Sequence, residues 1–365
     1  MTASQNTIAE ALNVSVATVS RSLRNHPAIS AETRARVAEA AVRLGYRGPE
    51  EGNAVTRGRP RRANTVGQAT KPQMGLVHIA AICRGSIAPD SVHNIVAFRL
   101  VQGMSRGARD NRSTLHIEYL PPEEFDLLHN SEYWPLAIQE RFVSGVVLVN
   151  HPSSAAIKTL AKALPCINFE RHADCTDTDC VTEDNLGSIS KLFDHFILLG
   201  HRRIGLVDSG YDLPSYQARL GGYVQNLIER SMAFDPANAI LPNPPADLNA
   251  RFEASAAHIE QRLRRHGVTA WICVNDFIGY HIIRQLNHRG IRVPEDVSIA
   301  GFDNFSPPLG LPKLTTIDGP FEAMGKVAVE RLIERIIHKN IPPVYSMLNT
   351  RLIVGQSTGL APRLE

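Results

Sequence analysis

The residues of this chain best placed to do chemistry stand together near its start. After Ser15 the sequence runs Val16-Ala-Thr-Val-Ser-Arg-Ser-Leu23. At about 100° per residue, a helix gathers Ala17, Ser20, Arg21 and Arg24 in one sector and sets Val19 and Leu23 opposite. Such a sector can read bases in a nucleic-acid groove. Small side chains let the backbone approach base edges, and an arginine donates two hydrogen bonds to guanine O6 and N7. The alternative is a small helical subdomain with a solvated arginine face. A second basic group is Arg57-Gly-Arg59-Pro-Arg-Arg62. It looks like an AT-hook core: glycine permits close approach, proline keeps the chain extended, and arginines favour the potential of a narrow A·T-rich minor groove. A plain solubilising basic linker would read the same way.

Two patterns with catalytic or metal-binding form lead nowhere. Gly355-Gln-Ser357-Thr-Gly359 has the shape of a hydrolase nucleophile elbow, but only six residues follow it and none is a histidine. His172, Asp174, Cys175, Asp177, Asp179 and Cys180 crowd together at a spacing that fits neither an EF-hand nor a zinc site. This stretch reads as an exposed acidic loop. No P-loop and no G-x-G-x-x-G occurs. We therefore expect no enzyme, no cofactor and no metal.

The elements that must position the arginine sector are legible around it. Thr7 with Glu10 fits a capping box opening a first helix, with Ile8 and Leu12 on its inner side. Asn13-Val14-Ser15 reads as a tight connection, with Ser15 as the N-cap of the second helix. Ser30 caps a third, whose Val37, Ala40, Ala41 and Leu44 form an apolar stripe. Gly45 ends it. Residues 1–48 thus form an all-α domain. Residues 49–74 form a Gly-, Pro- and Arg-rich linker.

From residue 75 to residue 365, apolar runs of strand length alternate with amphipathic stretches. GLVHIAAI, STLHIEYL, GVVLVN, CINFE, RIGLVDS, AWICVN and VSIAGFD are strand candidates. Stretches 95–111, 185–199, 216–231, 251–266, 277–289 and 321–338 are helix candidates. This alternation predicts α/β lobes with doubly wound parallel sheets. There are too many strands for one lobe, so two are expected, with a cleft at the carboxyl ends of the strands.

VSVATVSRSL followed by ISAETRARVAEAAVRLGYR resembles the DNA-binding domain of lactose-repressor-type (LacI/GalR) transcription regulators. The likeness continues in VTEDN with Gly187, LGHRRIG, Tyr216-Gln-Ala-Arg219 with Gly222-Tyr223, CVND, RVPEDVSIAGFDN, LTTIDGPFEAMG and GQSTG. It implies a helix-turn-helix head on a periplasmic-binding-protein-like body of two lobes joined by three crossings. The body would dimerise and bind a small, sugar-like effector in its cleft. By position, Ser15, Val16, Ala17, Thr18, Ser20, Arg21, Arg24 and Asn25 would meet double-stranded operator DNA. Arg219 would be the first effector ligand, then Asp303, Asn275 and Ser215, with Arg171 and Asp184 weaker candidates.

The chain departs from the family in three places. The leucine-bearing hinge helix has no counterpart in residues 49–74, where Arg57 and Arg59 stand instead. And where an Asn-Pro-Phe-Phe-like stretch supplies a stacking ring, this chain has Asn94-Ile-Val-Ala97 and then Phe98. That ring is missing or displaced by one position. Segment 121–135 is also unlike the family.

Composition sets the outer bounds. The 365 residues carry a net charge of +3 and are 43% apolar. Residues 1–72 hold eleven Lys and Arg against five Asp and Glu, so the head is basic and the rest acidic. There is no long apolar run and no charged-then-apolar start, so we expect no membrane partner and a cytoplasmic location. The five cysteines lack a C-x-x-C pair and are expected reduced and buried. The alternative is the solute-binding protein of a transporter, which the body alone would permit but the basic head and the expected cytoplasmic N-terminus argue against.

Overall fold

The computed structural model describes residues 5–23, 30, 33, 36–37, 40, 76–85, 92–170, 172, 174–208, 210–241, 247–338 and 340–363. The side chains of residues 5, 6, 17, 23 and 92–94 are outside that description. The chain divides into two compact units, Met1–Lys71 and Pro72–Glu365.

In the first unit, α1 (Gln5–Leu12) and α2 (Val16–Leu23) are joined through Asn13, which takes a left-handed φ of 53°. Ser15 Oγ accepts from Thr18 N at 3.0 Å, and Ser30 Oγ accepts from Thr33 N at 3.2 Å. Both expected N-caps are therefore present. Ile8, Ala9, Val19, Val37 and Ala40 are buried together, with Leu12 and Val14 packed against them. One expectation fails. α1 already begins at Gln5, which makes Thr7 its third residue and not its cap. Neither Gln5 nor Asn6 breaks a helix, so the helix runs through both and Thr7 stands inside it. Ala41, Leu44 and Gly45 lie outside the described residues.

The second unit holds two six-stranded sheets. The first lobe contains β1 (Val77–Arg84), β2 (Ser113–Leu120), β3 (Val146–Val149), β4 (Cys166–Asn168), β5 (Asp179–Glu183) and β11 (Tyr345–Leu348), in the order β11-β5-β4-β3-β1-β2. The second contains β6 (Ile204–Val207), β7 (Ala239–Ile240), β8 (Ala270–Cys273), β9 (Ser298–Phe302), β10 (Thr315–Asp318) and β12 (Arg351–Ile353), in the order β12-β10-β9-β8-β6-β7. Every pairing is parallel except β10 with β12. Helices α3 (Val92–Asp110), α4 (Ser154–Ala163) and α9 (Phe321–Ile337) belong with the first sheet. Helices α5 (Asn185–Leu198), α6 (Pro214–Glu229), α7 (Leu248–His266) and α8 (Asp276–His288) belong with the second.

The seven strand candidates and six helix candidates all form. β5, β7, β10, β11, β12 and α4 were not among them. β5 reads Asp-Cys-Val-Thr-Glu yet is buried at every residue, so it lacks the apolar run that marks a strand covered on both faces. Its Asp179 is fully buried and accepts from Arg331 Nε at 2.9 Å, Val344 N at 2.6 Å and the Arg335 guanidinium. The exposed acidic loop expected here holds for Asp174 and Asp177, which are exposed, and is corrected for Asp179 and Cys180: two arginines of α9 satisfy the Asp179 carboxylate and dock β11 beside β5. Cys180 is buried as well, and Asp174 pairs with Lys158 at 2.5 Å. Segment 121–135 also has a structural role. Phe125 and Leu128 sink into the core on the outer face of the first sheet, and Trp134 Nε1 donates to Leu128 O at 2.8 Å.

The lobes meet at three crossings: between β5 and α5, between β10 and α9, and between β11 and β12. Arg99 of α3 braces the second, donating to Asp318 at 3.0 Å and to the Gly319 carbonyl at 3.2 Å. Arg351 donates to the other oxygen of Asp318 at 2.7 Å. Burial opposes ionisation of Asp318, but bonds from Arg351 and Arg99 outweigh it and hold the carboxyl below its usual range. α3 and α9 cross in close backbone contact. A Cβ on Gly103 would strike the Glu322 carbonyl, and one on Gly325 would strike the Leu100 carbonyl. That approach carries the ends of both helices up to the cleft.

Candidate DNA-reading helix and effector cleft

Ser15, which caps α2, is exposed; on the helix itself Arg21 is exposed, Val16 is 42% exposed, and Thr18 and Ser20 are partly so. Val19 and Ser22 face inward. Among the described residues expected at a DNA groove, Ser15, Val16, Thr18, Ser20 and Arg21 are thus at least partly open to solvent at and along one short helix. Thr18 gives part of its hydroxyl to that cap, lying 2.8 Å from Ser15 Oγ. Ala17 is on α2. Arg24, Asn25, Arg57, Arg59 and Arg171 lie outside the described residues.

Between the lobes of the body is a cavity at the carboxyl ends of β3, β4, β5, β8 and β9. It brings together Ser215, Arg219, Asn275 and Asp303. Arg219 is 3% exposed. Its Nε donates to Asn185 Oδ1 at 2.8 Å, one Nη to the Val274 carbonyl and the other to the Glu183 carboxylate. The guanidinium lies 4.1 Å from the Phe302 ring centre and 5.5 Å from that of Tyr216. Three of its five N–H groups are thereby used, which leaves one on each Nη for a ligand. Asn275 caps α8, accepting from Ile278 N at 2.8 Å, and donates to the Tyr216 hydroxyl at 2.7 Å.

Asp303 follows β9 with φ at 99°, a backbone conformation that aims the turn at the cleft. Burial raises its pKa to about 7; Arg219 opposes the rise and Glu183 adds to it. Asp276, fully buried beneath it, is pushed well above the carboxylate range by burial and then by Asp303. Its oxygens accept from Phe305 N at 2.8 Å and the Thr316 hydroxyl at 2.7 Å.

Sequence reasoning missed Glu170 and His151. Glu170 belongs to the first lobe, and it accepts from Ser215 N at 3.2 Å in the second and from His151 Nδ1 at 3.0 Å. His151 follows directly on the strand candidate GVVLVN and Glu170 is the last residue of CINFE, so the strand-end rule could have found them. Asp184 does not line the cavity. It caps α5, accepting from Gly187 N at 2.8 Å. Nor is a stacking ring displaced onto Phe98, which is 57% exposed. Val96 and Leu100 face the cavity from α3, and its aromatic surface comes from Phe169, Tyr216, Phe277, Phe305 and Phe321. Ser357 of the elbow-like stretch is fully buried, donating to Ile299 O at 2.6 Å and accepting from Thr315 N at 2.9 Å. Its hydroxyl ties strands together. Among the described residues no group of three or more His, Cys, Asp or Glu is arranged to hold a metal.

The family model for bacterial regulatory proteins of the lacI family matches residues 6–48, and that for the periplasmic binding protein-like domain matches residues 193–358. The chain belongs to the lacI family of regulatory proteins. Its relatives include the HTH-type transcriptional repressor CytR of Escherichia coli strain K12, 27% identical over 99% of this chain and 97% of that protein. The repressor PurR of Aliivibrio salmonicida is 30% identical over 60% of this chain, a match spanning 65% of that protein's length. Among solved structures, a lac repressor dimer bound to operator and the anti-inducer ONPF is 19% identical, covers 98% of this chain and 100% of its own, and has a TM-score of 0.60. The CelR–cellobiose complex is 21% identical, covers 97% and 99%, and scores 0.64. As a lacI-family protein, this chain is a DNA-binding transcription regulator of the helix-turn-helix class. Among the described residues, no helix is long and apolar enough to cross a membrane.

Proposed function

We propose that this lacI-family regulator is a repressor whose hold on its operator is set by a small effector in the interlobe cavity. A homodimer presents two α2 helices to a near-palindromic operator in adjacent major-groove turns. Val16 and Ala17 select bases by apolar contact and fit, Arg21 reaches a base or phosphate, and Thr18, Ser20 and Asn25 hold phosphates and register. Arg57 and Arg59 take the minor-groove role that the family gives its hinge helix. In the cavity, Arg219, Asp303, Asn275 and Ser215 bind the effector, sugar-like in its hydroxyls. The protein performs no catalysis.

The observation that supports this reading most is that the lobes bond to each other across the cavity, Glu183 with Arg219 and Glu170 with Ser215. A ligand entering there must replace or add to those bonds. Occupancy and lobe angle are thus one equilibrium, and a coupling of about 1–3 kcal/mol is enough for a switch.

The test is a thermal-shift panel of sugars, sugar acids, polyols and purines, followed by mobility-shift titration of the fragment upstream of the gene. A compound that raises the melting temperature of the wild type but not of Asp303→Asn, and that changes DNA affinity, supports the reading. An equal shift in the variant removes Asp303 from the pocket. Arg219→Ala is a poorer probe: it leaves Glu183 buried without its partner, a loss of about 3–5 kcal/mol in stability alone.

A further inference from the structure

We propose that an arginine-lined groove at the far end of the second lobe docks an acidic segment of a partner protein, with carboxylates flanking apolar anchors. The groove lies where Arg202 and Arg203 lead into β6, Gly267 leads towards β8 and Ile291 leads towards β9. These are the amino ends of the parallel strands, opposite to the effector cavity. Seven arginines line it against two carboxylates, Asp235 and Asp296. Both carboxylates are already satisfied, by Arg262 and by Arg292.

Four of the arginines have work within the fold. Arg262 holds Asn238 and Asp235, Arg230 holds Asp194, Arg264 holds Glu260, and Arg203 donates to the His266 carbonyl at 2.8 Å. Arg202, Arg265 and Arg363 are exposed and make no ion pair or hydrogen bond among the described residues. This excess of positive charge stands on a region whose overall balance is acidic. Such a local concentration steers anionic partners and raises their encounter rate.

The surroundings favour a peptide over other anions. Met232, Leu263 and Pro362 are partly exposed among the arginines, so the surface offers apolar seats as well as charge. A duplex backbone uses charge alone. A small phosphate is best held by converging N–H groups at a helix N-terminus. Here the carbonyl end of α7 opens onto the groove, capped by Gly267 in the left-handed conformation, and that end repels a compact anion. Carboxylates spread along a chain can each meet a guanidinium while avoiding those carbonyls.

The experiment uses the full chain and a fluorescein-labelled peptide of glutamates interrupted by leucine and phenylalanine, read by anisotropy across a salt series. Against wild type is set Arg202→Glu/Arg265→Glu/Arg363→Glu, with an unchanged melting temperature showing that it folds. The expected result is salt-sensitive binding that weakens about tenfold or more in the variant, three exposed pairs being lost. Equal binding by both proteins would assign the peptide to the basic head and overturn the proposal. So would a groove-dependent loss confined to tripolyphosphate or to a random duplex, tested as competitors, which would assign it a different occupant.

Discussion

Asp303 shows how much a single carboxylate in the cavity can report. Its ordinary pKa near 3.8 is carried to about 7 by burial, with Arg219 pulling the other way. Between those values the folded protein holds a proton that the unfolded chain has lost, so stability falls as pH rises through that window and levels off above it. Asp303→Asn has no charge to bury. It should melt close to wild type at pH 4 and above it at pH 8, with a flatter profile between, as followed by melting temperature at half-unit steps. Parallel profiles would place the carboxylate in water. Ser215, Arg219, Asn275 and Asp303 could be named in the sequence only because the resemblance supplied their positions. Nothing in residue type distinguished Glu170, one of many acidic residues, until the fold set it across the cavity.

The same Glu170 matters most for the N-terminus of α6. That helix opens on Pro214, and its N-cap Leu213 makes no side-chain cap. The missing acceptor comes from the opposite lobe, where Glu170 receives Ser215 N. A carboxylate on a helix N-terminus contributes about 0.3–1 kcal/mol, up to ~2 when partly buried. In the proposed switch that contribution belongs to the closed, effector-bound form, because the bond spans the two lobes. Glu170→Gln should therefore weaken effector affinity by about three- to fivefold, since ~1 kcal/mol is lost from the closed form alone. Calorimetry with the compound found by thermal shift measures it, and an unchanged affinity would show that the bond persists in the open form. In the head, Ser15 caps α2 with no partner lobe to help it. Ser15→Ala should cost about 1 kcal/mol and lower the head's melting transition, with operator affinity falling as the reading helix frays. A transition at the wild-type temperature would show that packing of Val19 alone holds the helix.

At the scale of the whole molecule, a basic head and an acidic body divide the labour. Removing residues 1–62 should abolish binding to the upstream fragment while leaving the effector-induced thermal shift intact. A truncated chain that still retards the fragment would place the DNA surface on the body. The linker can be tested separately. Arg57→Ala/Arg59→Ala should weaken operator binding and lower the slope of log affinity against log salt by about 2, one for each phosphate-neutralising arginine. An unchanged slope would make the segment a spacer.

The sequence by itself determined the class of each unit, because local periodicity and caps are set by neighbours. Asn13, Ser15 and Ser30 act within three or four residues, and the strands and helices that were foreseen carry their apolar runs openly. Tertiary structure alone decided the partners. Asp179 became a buried anchor through arginines more than 150 residues away, β5 was covered on both faces despite its polar letters, and Glu170 met Ser215 across 45 residues of chain. A charged residue inside a fold is stable only where a counter-charge arrives from elsewhere, and no window along the chain contains that information.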